Sequence, residues 1–384
     1  MTRTAALEAA MLEADPSSLK AGERLRARFT ADEVAWALTQ AALRRKGVAK
    51  FTRASEMLFT PAGLEQASRE PVARWRAQRF LAAGVTEVWD LGCGIGADAM
   101  AFAAAGLRVV AVELDRETAA VARHNLDLVG GGEVTVAAAE DVDVPAEAAV
   151  FLDPARRTAR GRTWNVADFA PSWEFVLAHL AGERFACVKL GPGVPKELIP
   201  GDVQACFVSH HGDVVEASLW SGLPEGPQAV VLASAQDELG PAGRRPLDVR
   251  PVGRYLIEPD GAVIRAGLLD AIEPERDLWL LDAHIAYLSS DEPVSSPFAT
   301  DFEVLEDLPY DLKGLRAWVR DNSVGTLEIK KRGLEIDPAA LRRQLKPKGP
   351  NAATIVLART VRGTRALICR RALGTVKPCP SRPN

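Results

Sequence analysis

The chain has 384 residues and a mass of 41.2 kDa, which at roughly 100–200 residues per domain predicts two or three domains. Hydrophobic residues make up 47% and charged residues 26%, a globular balance that excludes a wholly disordered chain. The net charge of −4 hides an asymmetry: Lys+Arg against Asp+Glu is 14 to 9 over residues 1–85, 16 to 38 over 86–311 and 17 to 4 over 312–384, or +5, −22 and +13. A basic end on an acidic body points to an anionic partner, of which nucleic acid is the commonest large one. The plain alternative is a solvated basic face that docks on the acidic middle. The most apolar run, 99–112, is broken by Gly106 and Arg108, so no membrane-spanning helix of about 18 apolar residues is expected. Acids in the first 18 residues come too early for a secretory signal. The cysteines (Cys93, Cys187, Cys206, Cys369 and Cys379) are odd in number and form no C-x-x-C pair. That argues against a disulfide framework or zinc ribbon and for a reducing, cytoplasmic setting.

Residues 1–80 read as helices. Over 31–45, Val34, Leu38, Ala41 and Leu43 share one face, with Thr30 or Asp32 as the cap. Thr60-Pro61 opens another helical stretch through Leu64, Ala67, Val72, Trp75 and Phe80, ended by Gly84. Strands are expected at 88–91, 108–113, 133–138, 149–152 and 185–190, with helices at 98–105 and 117–128 between them. This alternation predicts βαβ units and a parallel sheet. Runs at 205–209, 214–219 and 229–233 are expected to be antiparallel strands closing one edge. In the Pro-, Gly- and acid-rich stretch that follows, 254–257 and 262–264 around Pro259-Asp260-Gly261 read as a hairpin. Beyond 312, helices at 312–319 and from Asp337-Pro338 combine with strands at 326–330, 354–357 and 365–369 into a small basic α/β module. The expected boundaries are 1–84, 85–235, 236–311 and 312–384.

The strongest local signal is Asp90-Leu91-Gly92-Cys93-Gly94-Ile95-Gly96, joining the first strand to its helix. Glycines there permit positive φ and close approach of a ligand to the backbone. The spacing is G-x-G-x-G, not the G-x-G-x-x-G of a dinucleotide site. Asp90 before the loop is unhelpful to a pyrophosphate but suits a positive amino group. Glu113, at the end of the second strand and 17 residues after Gly96, is placed to accept hydrogen bonds from ribose hydroxyls. An adenosine-type cofactor carrying an ammonium and a sulfonium satisfies both.

V-W-D-L-G-C-G-I-G-A-D, V-V-A-V-E-L-D and A-R-H-N-L together resemble a class I S-adenosylmethionine-dependent methyltransferase over residues 86–235. The resemblance implies an α/β fold with a Rossmann-like seven-stranded methyltransferase sheet, here with an N-terminal helical region and a small basic C-terminal α/β domain. It also implies S-adenosyl-L-methionine as cofactor. Asp90 and the backbone at Gly92, Gly94 and Gly96 would hold the methionine part, Glu113 the ribose, and Asp141 (or Glu140) the adenine amino group. The fourth strand runs into Asp153-Pro154-Ala155-Arg156-Arg157, where many nucleic-acid methyltransferases carry D/N-P-P and an aromatic or Arg. Ala155 replaces the second proline and Arg156 the stacking aromatic. Asp153, Pro154 and Arg156 are the candidate catalytic residues, Asp153 accepting a hydrogen bond from the substrate and Arg156 pairing with a phosphate or carbonyl. Cys187 lies inside the fifth strand, a core position rather than a nucleophile's.

D-P-A-R-R followed by T-W-N-V-A-D-F-A-P-S-W and V-K-L-G-P-G, with L-F-T-P-A-G-L-E-Q-A-S upstream and V-G-T-L-E-I-K-K-R-G-L-E-I-D-P-A-A-L-R-R-Q-L downstream, resembles the bacterial methyltransferases with a C-terminal THUMP-like domain. True THUMP domains bind tRNA, so the resemblance implies an RNA substrate, tRNA or rRNA. Lys330, Lys331, Arg342 and Arg343 would then be RNA-binding phosphate contacts; a solvated face is the alternative. Phe59-Thr60 and Glu65-Gln66 read either as a cap over the cofactor or as helix capping and packing. Trp164 and Trp173 read as base-stacking or packing residues. His210-His211 have no third ligand at metal spacing, so no metal is expected, and no membrane partner either. Three readings stay open: an RNA methyltransferase, a small-molecule methyltransferase with a structural basic tail, and a cofactor-binding RNA-binding protein without catalysis.

Overall fold

The computed structural model describes residues 2–156, 164–243 and 246–372. It divides into two units, Met1–Val203 with Ser218–Pro224 and Gln204–Ala217 with Glu225–Asn384. Arg157, Cys379 and the side chain of Arg156 lie outside the described residues. Among those described, no helix is long and apolar enough to cross a membrane.

The first unit opens with α1 (Thr2–Met11), α2 (Leu19–Arg26) and α3 (Ala31–Gly47). Thr30 caps α3 in a capping box with Glu33. The helical stretch expected from Thr60 is broken in two, α4 (Pro61–Gln66) and α5 (Glu70–Ala82). Pro71 is the cause: inside a continuous helix it would lack a donor and strike the carbonyl of residue 67. The break strips the last carbonyls of α4 of helical donors, and Lys50 replaces them. Its Nζ donates to Leu64 O (2.8 Å), Glu65 O (2.7 Å) and Ala67 O (2.8 Å). Burial, then Lys189 and Arg69, lower the Lys50 pKa from its ordinary value.

The α/β core follows as β1 (Glu87–Leu91), α6 (Ala97–Ala104), β2 (Arg108–Glu113), α7 (Arg116–Asp127), β3 (Glu133–Val136), β4 (Ala149–Leu152), β5 (Ala155–Arg156), β6 (Phe169–Ala170), α8 (Trp173–Leu180) and β7 (Ala186–Leu190). The parallel strands lie in the order β7-β4-β1-β2-β3. All four residues of β4 are buried, as expected of a parallel sheet covered on both faces. Strand order reverses between β1 and β4, and at such a switch point a crevice opens beyond the carboxyl ends of the strands. β5 and β6 form a separate two-stranded ladder.

β8 (Gln204–His210) and β9 (Asp213–Trp220) are joined by His211 and Gly212, both at positive φ, as a two-residue hairpin turn requires. Ser218–Trp220 of β9 belong to the first unit, beside β7. In the second unit, β8 and Asp213–Ala217 of β9 are followed by β10 (Gly226–Leu232) and β11 (Gln236–Leu239). The expectation of a wholly antiparallel edge is corrected: β10 pairs parallel to β8, and β11 antiparallel to β10. The β8–β9 hairpin reverses the chain, so β10 starts from the same end as β8 and joins its open edge.

The rest of the second unit comprises β12 (Tyr255–Pro259), α9 (Gly261–Ala266), β13 (Trp279–Asp282), β14 (Ile285–Ser290), β15 (Ala299–Pro309), α10 (Leu312–Asp321), β16 (Val324–Arg332), α11 (Pro338–Leu345), β17 (Asn351–Thr360) and β18 (Gly363–Arg371). Their sheet has the order β13-β14-β12-β15-β18-β17-β16. The hairpin expected around Asp260-Gly261 is absent. Asp260 instead caps α9, its carboxylate accepting from Ala262 N–H at 2.9 Å, and Gly267 ends the helix at φ 73°. A cap and a turn share the Asp-Gly signature, and tertiary pairing of β12 with β14 and β15 decides between them. Leu315 and Val319 of α10 and Leu341 and Leu345 of α11 pack with Leu327 and Ile329 of β16 in one core.

Candidate active site

The loop from β1 into α6 holds Gly92, Gly94 and Gly96 at φ 87°, 55° and 79°, where a side chain would be strained. The N–H groups of Gly92 and Cys93 both donate to Val112 O, at 2.9 and 3.0 Å, which fastens the loop to β2. Asn125 of α7, fully buried, secures it from the other side. Its Nδ2 donates to Ile95 O (2.8 Å) and Leu58 O (3.0 Å), and its Oδ1 accepts from Leu58 N–H (2.8 Å). α4 also rests against the loop. A Cβ on Gly63 would lie 2.2 Å from Ile95 Cγ2. Phe59 is buried with its backbone paired to Gln40, and Thr60 caps α4. Glu65 and Gln66 are exposed.

Asp90 is fully buried, and neither carboxylate oxygen has a hydrogen-bond partner. Burial, reinforced by Asp98 and Asp153 and opposed by Arg76 and Lys189, drives its pKa well above the usual carboxylate range. A buried carboxylate without a partner is costly; a cation delivered to it removes that cost. The Cys93 thiol is likewise pushed up, by burial and then by Asp90 and Glu113, so it is no ready nucleophile. Glu113 accepts Gly94 N–H on Oε2 and Asp115 N–H on Oε1, both at 2.9 Å. An ionised carboxylate offers about four acceptor sites, so two remain for hydroxyls. Asp141, in the turn after β3, is exposed, while Glu140 accepts Ser172 N–H at 3.2 Å.

Asp153 follows β4 directly, and its carbonyl lies 3.8 Å from where a Cβ on Gly92 would stand. Its Oδ2 is 2.5 Å from the Nζ of Lys189, at the end of β7, and that Nζ also donates to Gln66 O at 3.3 Å. Asp90, Asp153, Lys189 and the glycine loop are thus brought together at the switch point. Pro154 is buried behind Asp153, and Cys187 is wholly buried in β7. Trp164, Phe169 and Trp173 form a row with ring centroids 6.0 and 5.4 Å apart, Phe169 buried between two half-buried tryptophans.

Sequence reasoning missed Lys189, which sits inside an apolar strand and gives no motif of its own. It also missed the buried pair of Arg76 with Asp98, whose carboxylate further accepts from Ser68 Oγ at 2.8 Å. The four cations expected to contact RNA do not share one face. Lys330 is half-buried and paired with Glu258 at 2.6 Å, over the ring of Phe302. Side chains alternate along a strand, so Lys330 faces away from α11, whereas Lys331 shares the face of Leu327 and Ile329 on which α11 packs. Lys331, Arg342 and Arg343 are exposed; Arg342 also donates to Leu327 O at 2.8 Å. Among the described residues, His210 and His211 included, no group of three or more His, Cys, Asp or Glu is arranged for a metal ion.

These residues fit S-adenosylmethionine. The orphaned Asp90 matches an ammonium, the glycine cradle matches a ligand laid against backbone, and Glu113 has acceptors left for a ribose. A family profile described as "Methyltransferase domain" matches residues 89–151, and one described as "THUMP domain-like" matches residues 299–371. Proteins from two strains of Mycobacterium tuberculosis, each named an uncharacterized S-adenosylmethionine-dependent methyltransferase, are 36% identical over 366 residues, covering 90% of this chain and 99% of theirs. A crystal structure of an inferred methyltransferase from Porphyromonas gingivalis W83 shares the fold with a TM-score of 0.76 at 20% identity, over 97% of this chain and 98% of that one. The chain therefore belongs to the S-adenosylmethionine-dependent methyltransferases that carry a C-terminal THUMP-like domain.

Proposed function

We propose that this methyltransferase acts on RNA, tRNA or rRNA. The observation that carries the reading is the second unit: its THUMP-like part bears exposed Lys331, Arg342 and Arg343 beside Lys313, Arg316 and Arg320 on α10. Cations so spread bind phosphates and supply affinity without reading sequence. In the first unit, Asp90 and the backbone at Gly92, Gly94 and Gly96 hold the methionine part of the cofactor, Glu113 the ribose and Asp141 the adenine. Bound there, the cofactor supplies an activated methyl group. The chain's own work is then to align the nucleophile and shape charge around it. Asp153 accepts a hydrogen bond from the nucleophile, Pro154 fixes its backbone and Arg156 pairs with a phosphate or carbonyl of the target.

The test is transfer of a labelled methyl group from S-adenosylmethionine to RNA from a strain lacking the gene. Label in RNA, lost in Asp153→Asn with cofactor affinity retained, is the expected result. Label only in small molecules would favour the small-molecule reading, and salt-dependent RNA binding without transfer the non-catalytic one.

A further inference from the structure

We infer that the methyl acceptor is a hydroxyl oxygen, the ribose hydroxyl where RNA is the substrate, and that Lys189 is the residue that selects it. The inference rests on the reading that the nucleophile meets Asp153.

The argument is electrostatic. Lys189 is nearly buried at 12% side-chain exposure, while Asp153 stays one-third exposed. Their 2.5 Å contact and the bond to Gln66 O hold a full positive charge beside the one acidic group of the D-P-A-R-R motif. The cation has a built position, because Gln66 ends α4, which is locked by Lys50 and pressed on Ile95. A neutral amine that attacks a methyl group gains positive charge on nitrogen. A lone carboxylate would stabilise that charge, but here Lys189 cancels the carboxylate's field. A hydroxyl that attacks while losing its proton gains negative charge on oxygen, and a fixed ammonium stabilises it. The rest of the motif agrees. Ala155 and Arg156 stand where a flipped base would need an aromatic, and Phe169, opposite Arg156 in the β5–β6 ladder, is buried against Trp164 and Trp173.

The step balances. The hydroxyl oxygen forms a bond to the methyl carbon, the electron pair of the broken carbon–sulfur bond stays on sulfur, and the hydroxyl proton passes to Asp153 and then to water. Internal nucleotides of RNA expose such a group as the 2′-hydroxyl.

The experiment digests the methylated RNA to nucleosides and locates the label by mass spectrometry. Label on ribose is expected. Label on a base overturns this inference and leaves the RNA reading standing; no label in RNA overturns the RNA reading and this inference with it. A second arm uses the full chain with Lys189→Met and Lys189→Arg. Lys189→Met should lower kcat by about 100-fold or more, the scale for removing one preorganised charge-stabilising donor, and Lys189→Arg should restore part of it. Far-ultraviolet circular dichroism should show both variants folded, and any loss of cofactor affinity by calorimetry should be small beside the fall in kcat. Wild-type kcat in Lys189→Met, or loss of cofactor affinity in step with kcat, would overturn the role given to Lys189.

Discussion

Asp90→Asn separates the cofactor's interaction with Asp90 from the shape of its site. Asn keeps the volume and removes the charge at a fully buried position whose carboxylate oxygens have no partner. If the cofactor's ammonium completes an ion pair there, the substitution removes one partner of a buried pair. That costs about 3–5 kcal/mol, or roughly 10²–10⁴-fold in affinity at about 1.4 kcal/mol per decade. The free protein should respond in the opposite direction. Asp90 has a raised pKa in the fold, so its stabilising contribution is complete below the unfolded carboxyl value of about 3.9 and is lost as pH rises through the folded value. Asn titrates nothing. The mutant and wild type should therefore be closest in stability in acid, and the mutant should gain on the wild type as pH rises. The assays are thermal unfolding of the free protein across pH and calorimetry of cofactor binding at neutral pH. Equal cofactor affinity of the Asp90→Asn and wild-type proteins, or a mutant that loses stability relative to wild type as pH rises, would refute the assignment.

Glu113→Ala should weaken cofactor binding by about 1–3 kcal/mol, the cost of leaving buried polar partners unpaired, and unchanged calorimetric affinity would remove the ribose from that position. Gly63→Ala puts a methyl group 2.2 Å from Ile95 Cγ2 and 2.6 Å from Thr60 Oγ1; overpacking of this kind costs about 1–3 kcal/mol, and denaturant midpoints should fall with cofactor affinity because the displaced neighbour is in the glycine loop. Reversing Lys331, Arg342 and Arg343 to Glu should flatten the salt dependence of RNA binding by about 0.7 log units for each single-stranded phosphate no longer neutralised, with cofactor binding unchanged; a wild-type slope would sink this set of phosphate-binding cations. Lys330→Glu, by contrast, sets two acids against each other where Glu258 lies 2.6 Å away, and should lower the thermal midpoint with less effect on the salt slope.

The parallel core was legible because local pattern and tertiary role agree there: apolar runs became buried strands, and three glycines between a strand and a helix became the positive-φ cradle. The positions of Asp90 and Glu113 beside that loop were legible for the same reason, since each follows from strand ends at a fixed distance along the chain. Asp260-Gly261 misled because one dipeptide serves both a hairpin turn and a helix cap, and only the pairing of β12 with β14 and β15 distinguishes them. The break at Pro71 could have been read from the proline alone. Its consequence, carbonyls at the end of α4 that take Lys50 and Lys189, depends on contacts 14 to 123 residues apart. Lys189 and Arg76 were invisible for that reason. A lysine in a strand and an arginine in a helix acquire meaning only from the carboxylates that the fold sets against them. Lys330 and Lys331, adjacent in sequence, part in the fold because a strand sends alternate side chains to opposite faces.

The same charges suit an ammonium at this loop and oppose a pyrophosphate. Asp90 stands before the loop with Asp98 and Asp153 as acid neighbours, Arg76 paired with Asp98 and Lys189 with Asp153, while Glu113 accepts Gly94 N–H of the loop. Asp98 and Asp153 each have one of these cations and Asp90 has neither, and burial together with its two acid neighbours raises the Asp90 pKa. A ligand with an ammonium lets the carboxylate ionise without leaving a buried charge alone. A pyrophosphate would bring two more negative charges to a loop whose backbone donors are partly committed: Gly92 and Cys93 donate to Val112 O and Gly94 to Glu113. The repulsion acts at short range in a buried setting, where salt screens it poorly. A buried acid without a hydrogen-bond partner at this loop thus suits an ammonium and opposes a pyrophosphate.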